Sequence, residues 1–291
     1  MKRTDKKQTE YKMGSNKKTA IVTGAGGTLG SAIALDFGRK GMNVVLIGRT
    51  VEKLQVVEKQ IKEIGGEAIS IAASASNLEE METARNTIME VFGSCDILIN
   101  AAGGNQIEAV TTVNEFQENE LENDNSDFRG FFNLKMDKFR SVIEDNSLGT
   151  VIPSQVFGKE MAKNKKGSII NFASMTSYRP LSRVPAYAMV KAGIANFTQW
   201  LAAYLAPANI RVNAVAPGFF LNDRSKKRLM TPDGGYSPRG QKIIDHTPMK
   251  RFGEAEELLG CVNWLIDDKA SGFVTGITVP VDGGFLSDAG V

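Results

Sequence analysis

The stretch TAIVTGAGGTLGSAIALDFG, residues 19–38, decides the fold. Its first five residues, Thr19 to Thr23, are a short β-branched apolar run of the kind that forms a buried strand. Gly24, Gly27, Thr28, Leu29 and Gly30 then make a glycine-rich turn, and from Ser31 to Lys40 the apolar positions recur with helical period. Strand, glycine turn and helix in that order make a cradle for a phosphate. Glycines let the backbone come close to a pyrophosphate, and the helix start offers free N–H groups and the positive end of its dipole. A second strand, Asn43 to Ile47, follows at the distance a βαβ unit requires.

The same alternation continues outward. Val51 to Ile64 reads as an amphipathic helix stopped by Gly65 and Gly66, and Glu67 to Ala72 as the third strand. Asn77 to Phe92 is a helix with Asn77 as its N-cap, and Asp96 to Asn100 is a fourth, buried strand running into Ala101 and Gly103. Residues 106–145 break the rhythm. They are polar, carry Phe116, Phe128, Phe131, Phe132 and Phe139, and read as an insertion with one or two short helices and a local aromatic core. A helix over 146–163, a strand over 168–172, a helix over 187–205 and a strand over 210–215 follow. Residues 219–250 read as a charged substrate loop, and 255–266 and 277–281 as a last helix and strand. The expected fold is a single Rossmann-type, doubly wound parallel α/β sheet of about seven strands over 18–291. Ligands of such sheets bind at the carboxyl ends of the strands.

Composition narrows the function. The chain has 291 residues, 42% of them apolar, and a formal charge of +2. Several of its positive charges crowd into residues 1–17, a flexible basic tail that includes Lys2, Arg3, Lys6 and Lys7. The remainder is slightly acidic, so neither a nucleic-acid nor a membrane partner is expected. Cys95 and Cys261 are isolated in apolar context and His246 is the only histidine, which fits a reducing cytoplasm and offers no metal site.

A second stretch, SMTSYRPLSRVPAYAMVK at 174–191, carries the chemistry. Tyr187 and Lys191 are four apart, hence stacked on one helix face, and Ser174 stands at the end of the strand before them. A phenol is a weak acid–base group at neutral pH, but an ammonium nearby lowers its pKa. A serine hydroxyl holds the reacting oxygen against it. Alone, a Tyr-x-x-x-Lys pair is as easily a chance spacing on a surface helix. At the end of the second strand, no acidic residue follows Gly48. Arg49 faces a 2′-phosphate or is simply solvated, which favours NADP(H) while NAD(H) stays open.

Together these motifs resemble the short-chain dehydrogenase/reductase family over about 18–285, through 23–30, 100–103, Asn146, Ser174, Tyr187, Lys191, Pro217, Gly218 and 281–284. The resemblance implies an NAD(P)-dependent enzyme acting on CH–OH groups and a homotetramer or homodimer. It implies Tyr187 as general acid/base, Ser174 orienting the substrate oxygen, Lys191 on the nicotinamide ribose, and Asn146 holding a water in a proton relay. Gly24, Gly27, Thr28, Leu29 and Gly30 would line the pyrophosphate, and Asn100, Ala101, Gly103, Pro217 and Gly218 would flank the cofactor elsewhere. Three departures stand out: Thr28 replaces the usual second glycine, Ser74 replaces an aspartate at the adenine, and the insertion is longer by roughly twenty residues. Segments such as 101–105, 182–187, 217–221 and 238–241 are similar to a sugar-acid subgroup, the D-mannonate oxidoreductases or fructuronate reductases. That implies D-fructuronate and D-mannonate as the small-molecule pair. A carboxylate substrate needs a cation and hydroxyl or amide partners, for which Asn105, Arg179, Arg183, Arg239 and His246 are candidates; each arginine could equally make a surface ion pair. Two other readings remain, a reductase of another carbonyl such as a gluconate-type or 3-oxoacyl substrate, and a catalytically silent nucleotide-binding regulator.

Overall fold

The computed structural model describes residues 17–121 and 128–288, apart from the side chains of residues 223 and 224. The expected tail, 1–17, lies outside the described residues except for Lys17, which pairs with Glu67 at 3.1 Å. Seven parallel strands form one sheet, β1 (Thr19–Thr23), β2 (Asn43–Gly48), β3 (Glu67–Ala72), β4 (Ile97–Asn100), β5 (Gly167–Phe172), β6 (Ile210–Pro217) and β7 (Thr278–Val281). Their spatial order is β3-β2-β1-β4-β5-β6-β7. The order reverses between β1 and β4, so the crevice opens above the glycine turn and the Asn100–Gly103 segment.

Alternate strand residues feed two cores. Ala20, Val22, Val44, Leu46, Ile97 and Ile99 face α1 (Thr28–Arg39), α2 (Val51–Glu63) and α8 (Leu259–Ile266). Ile21, Val45, Ile47 and Leu98 face α3 (Leu78–Val91), α4 (Met136–Lys163) and α5 (Pro185–Leu205). Strands buried on both faces read as near-continuous apolar runs, as parallel sheets require. Each fully buried branched side chain contributes about 1.5–3 kcal/mol by leaving water.

Most elements match the sequence reading, including Asn77, whose side chain accepts the Glu80 N–H at 3.1 Å. Four differ. Helix α4 begins at Met136, ten residues before Asn146, so the end of the insertion is helical and Asn146 lies inside the helix. The insertion otherwise holds only single 3₁₀ turns at Ile107–Ala109 and Glu118–Glu120 among its described residues. Its aromatics do not form a local core: Phe116, Phe131 and Phe132 touch edge to face but are each more than half exposed. Phe139 alone packs inward, with Val142, Ala186 and Tyr187. The 219–250 segment contains two short helices, α6 (Asp223–Leu229) and α7 (Pro238–Asp245). They pack so closely that a Cβ at Gly240 would enter the Leu229 carbonyl.

A buried polar line fastens α4 and α5 to the sheet. Asn100 Nδ2, at the end of β4, donates to Ser154 Oγ of α4 at 2.8 Å and to Asn171 Oδ1 of β5 at 2.9 Å. Asn171 Nδ2 donates in turn to Thr198 Oγ1 of α5 at 2.9 Å. All four side chains are at most 3% exposed. Replacing Asn171 by Leu would remove one acceptor of Asn100 and the donor to Thr198. We expect a loss of about 1–3 kcal/mol in urea unfolding. A loss below about 0.5 kcal/mol would show that the line does not hold these helices.

Candidate active site

The site lies where β5 ends and α5 begins. Ser174 follows β5 and caps a 3₁₀ turn, its Oγ accepting the Thr176 N–H at 3.2 Å. Ser177 Oγ, at the end of that turn, donates to the Lys191 carbonyl at 2.7 Å and so fixes the turn to α5. Pro185 suits the first turn of α5, where its missing N–H costs no bond. Tyr187 and Lys191 then lie on the inner face of the helix, and the Ser174 hydroxyl stands close enough to the Tyr187 phenol to pull its pKa down. The Lys191 amine stands 5.4 Å from the centre of the Tyr187 ring. The structure thus brings Ser174, Tyr187 and Lys191 together.

Lys191 is 4% exposed, and its Nζ donates to the Phe172 carbonyl at 2.7 Å. Burial disfavours its charged form and pushes its pKa down to about 7. Burial also pushes the Tyr187 phenol above its ordinary value, against the pull of the Ser174 hydroxyl. This departs from the expectation that Lys191 lowers the phenol's pKa. Desolvation of the phenol dominates its shift, and burial drives the neighbouring amine toward its neutral form as well. The free protein therefore holds the phenol proton in place.

Asn146 is fully buried. Its Nδ2 donates to the carbonyls of Gly104 and Val142, both at 2.7 Å, and its Oδ1 accepts the Gly104 N–H at 3.1 Å. Gly103 has φ +133°, and a Cβ there would collide with the Asn146 carboxamide. The glycines after β4 thus serve the docking of α4. The side-chain amide of Asn100 is committed to the buried line described above and turns no donor toward the crevice.

The turn from Gly24 to Gly30 fits a dinucleotide pyrophosphate. Gly24 has φ +66°, and a Cβ on it would lie 2.6 Å from the Ala101 carbonyl oxygen, so β1 and β4 loops meet backbone to backbone. Gly27 is the N-cap of the twelve-residue α1, and no side chain caps that helix start. The N–H groups of Thr28, Leu29 and Gly30 are left for an anion. Thr28 starts the helix, so its side chain is tolerated where a glycine is more usual. Arg49 is 72% exposed and pairs with Asp145 at 3.6 Å. The Ser74 hydroxyl hydrogen-bonds Ser76 at 3.0 Å. Pro217 ends β6, and at Gly218 a Cβ would press on Asp282 at 2.6 Å.

The substrate candidates divide. Arg183, one residue before the N-cap of α5, has φ +78° and donates from Nε to the Thr111 carbonyl at 2.7 Å. Arg239 of α7 is held below its ordinary pKa by burial and by the nearby charges of Arg183 and Arg228. None of these three forms an ion pair among the described residues. Arg179 instead donates to the Asp288 carbonyl at 2.8 Å, and His246 lies 3.5 Å from the Asp288 carboxylate, so both are tied to the C-terminal segment. Asn105 Oδ1 accepts the neighbouring Gln106 N–H at 3.0 Å. A cleft of about 540 Å³ beside the site is lined by Thr111, Ser177, Tyr178, Arg183 and Met189, but not by Ser174 or Tyr187. Sequence reasoning missed Thr150, Ser154, Asn171 and Thr198; only the i,i+4 spacing of Thr150 and Ser154 hinted at them. It also missed Asp145, whose place beside Asn146 was the one available signal.

Residues 18–232 match the family model described as short chain dehydrogenase. An uncharacterized oxidoreductase of Bacillus subtilis is 46% identical over 274 residues, 94% of this chain and 96% of the relative. Glucose 1-dehydrogenase 2 of the same organism is 33% identical, over 92% of this chain and 94% of the relative. Among solved structures, a candidate D-mannonate oxidoreductase from Haemophilus influenza with bound NAD superposes with TM-score 0.88 at 42% identity. That match covers 94% of this chain and 96% of the other.

The buried amine sets a pH dependence. Its folded-state pKa lies near 7 and its ordinary value is 10.5, so between the two the unfolded chain binds more protons. Stability gained from deprotonation therefore rises with pH across that window. We expect the melting temperature of the free protein to rise relative to Lys191→Met from pH 7 to pH 10. A constant difference would show that Lys191 stays charged when buried.

Proposed function

This chain belongs to the short-chain dehydrogenase family, an NAD(P)-dependent oxidoreductase, and on that premise we propose that it interconverts a keto sugar acid and its hydroxy acid, D-fructuronate and D-mannonate. The observation that carries the redox reading is the gathering of Ser174, Tyr187 and the buried Lys191 amine, which stands 5.4 Å from the Tyr187 ring centre. The substrate reading draws on the Haemophilus neighbour and on the gathering of Arg183, Arg228 and Arg239. Like charges that gather without acidic partners among the described residues favour an anion such as a carboxylate.

Bound dinucleotide supplies or takes the hydride at the substrate carbon. The first turn of α1 would hold its pyrophosphate, and Lys191 would hold its nicotinamide ribose. Ser174 Oγ holds the substrate oxygen against the Tyr187 phenol, which gives that oxygen a proton in reduction and takes it back in oxidation. Asn146 keeps Gly103 and Gly104 against α4, and in this reading it would hold a water in a proton relay to Lys191. Arg49 favours NADP(H), whereas the NAD in the Haemophilus neighbour favours NAD(H). The insertion and the 219–250 segment are the specificity elements in this reading.

We read the protein as a cytoplasmic homotetramer or homodimer. Supporting this, Leu148 and Val151 on α4 and Trp200 and Tyr204 on α5 are exposed apolar side chains, with the Trp200 and Tyr204 rings stacked 5.1 Å apart. Among the described residues no helix is long and apolar enough to cross a membrane.

Oxidation of NADH and NADPH should be fastest with D-fructuronate, set beside 5-keto-gluconate and an acetoacetyl thioester. Turnover of another ketone but not fructuronate would discard the sugar-acid assignment and keep the redox one. Turnover of none would favour a silent regulator. Tyr187→Phe should lower kcat by about 10²–10⁴-fold while dinucleotide affinity changes far less; near-normal kcat would remove Tyr187 from the chemistry. Arg239→Ala should raise KM for fructuronate by about tenfold, and an unchanged KM would place the carboxylate elsewhere.

A further inference from the structure

We infer that Asp145, on α4, biases the cofactor site toward the dinucleotide that lacks a 2′-phosphate, by holding and neutralising Arg49. The inference rests on reading the glycine turn as the cofactor site. The end of β2 offers Gly48, Arg49 and Thr50, with no acid to accept a ribose hydroxyl and one cation that suits a phosphate. Arg49 alone would select NADP(H). It is not alone: Asp145 Oδ2 lies 3.6 Å from its Nη1.

The path of α4 explains how a residue so distant in sequence arrives there. A Cβ at Gly149 would sit 3.9 Å from both Ala102, after β4, and Ala75, after β3. The first half of α4 therefore crosses the carboxyl ends of those strands. Asp145, one helical turn earlier, stands on the rim of the adenosine side of the crevice. Its side chain is 29% exposed against 72% for Arg49. The carboxylate is thus the more confined partner, and the guanidinium comes to it.

A 2′-phosphate drawn to Arg49 meets this carboxylate at close range. The two anions repel, and the guanidinium cannot satisfy both. An unphosphorylated ribose carries no such conflict, and a carboxylate is the acceptor class that suits its hydroxyls. Asp145 thereby supplies from α4 the acidic function that the end of β2 lacks. Lys53, on α2, lies against the glycine turn, its Cβ 3.0 Å from where a Gly26 Cβ would be.

The test is calorimetric titration of the full-length protein with NAD⁺ and with NADP⁺, reading the ratio of the two Kd values. The wild type should bind NAD⁺ more tightly. Asp145→Asn should lower the ratio Kd(NADP⁺)/Kd(NAD⁺) by about tenfold, and the double variant Asp145→Asn, Arg49→Gln should lose that gain. A ratio unchanged in Asp145→Asn would overturn the inference. So would equal weakening of both dinucleotides, which would show that Asp145 only steadies α4. A wild type that binds neither dinucleotide would instead overturn the cofactor reading on which the inference stands.

Discussion

Two helices must present their side chains to one point, and a buried polar line holds them there. Ser154 of α4, Asn100 of β4, Asn171 of β5 and Thr198 of α5 are linked in sequence by hydrogen bonds of 2.8–2.9 Å. Apolar packing of α4 and α5 on the sheet is strong but slides easily, since it is non-directional. Hydrogen bonds between buried amides are directional, and breaking one strands its partner without water. The line therefore fixes the height of both helices along the sheet. Asn146 lies one and two turns from Thr150 and Ser154, and Lys191 lies two turns from Thr198, so their positions follow from it.

Within that frame the site is electrostatically quiet. An amine and a phenol share a dry corner, and burial drives each toward its neutral form. Proton transfer in such a pair starts from an uncharged state, so a charge that arrives with ligands meets little competing field. The cations instead gather outside, at Arg183, Arg228 and Arg239, where an acidic substrate would first encounter the protein.

Much of this was legible in the sequence because the parallel sheet repeats one signal. Apolar β-branched runs alternate with helical periods from Thr19 to Val281, and the glycine turn marks where the first crossover begins. Tyr187 and Lys191 were legible because helix spacing places them on one face, and Ser174 because it stands at the end of the strand before them. The start of α4 was hidden by the polar composition around it and by the lack of a capping side chain at Lys135. Its period was nonetheless present in Phe139, Val142 and Asn146. The fates of Arg179 and Asn100 were not legible, because each side chain is taken by a partner that only the folded backbone brings near. The direction of the Tyr187 shift was missed for a related reason: spacing reveals a neighbouring charge but not the depth at which it is buried.

Helix α4 runs unbroken for 28 residues, about 42 Å at 1.5 Å per residue. Its first ten residues belong to the inserted segment, and Asn146 follows on the same rod. Pro153 has no N–H to give the Gly149 carbonyl, so one rung of the ladder is open there. The insertion and the helix that carries Asn146 are therefore one mechanical part. A designer who exchanged the insertion between relatives at residue 145 would cut through a helix and detach the lever that sets Asn146. A workable seam lies instead before Met136, and grafted material would have to arrive with its own helical phase already matched.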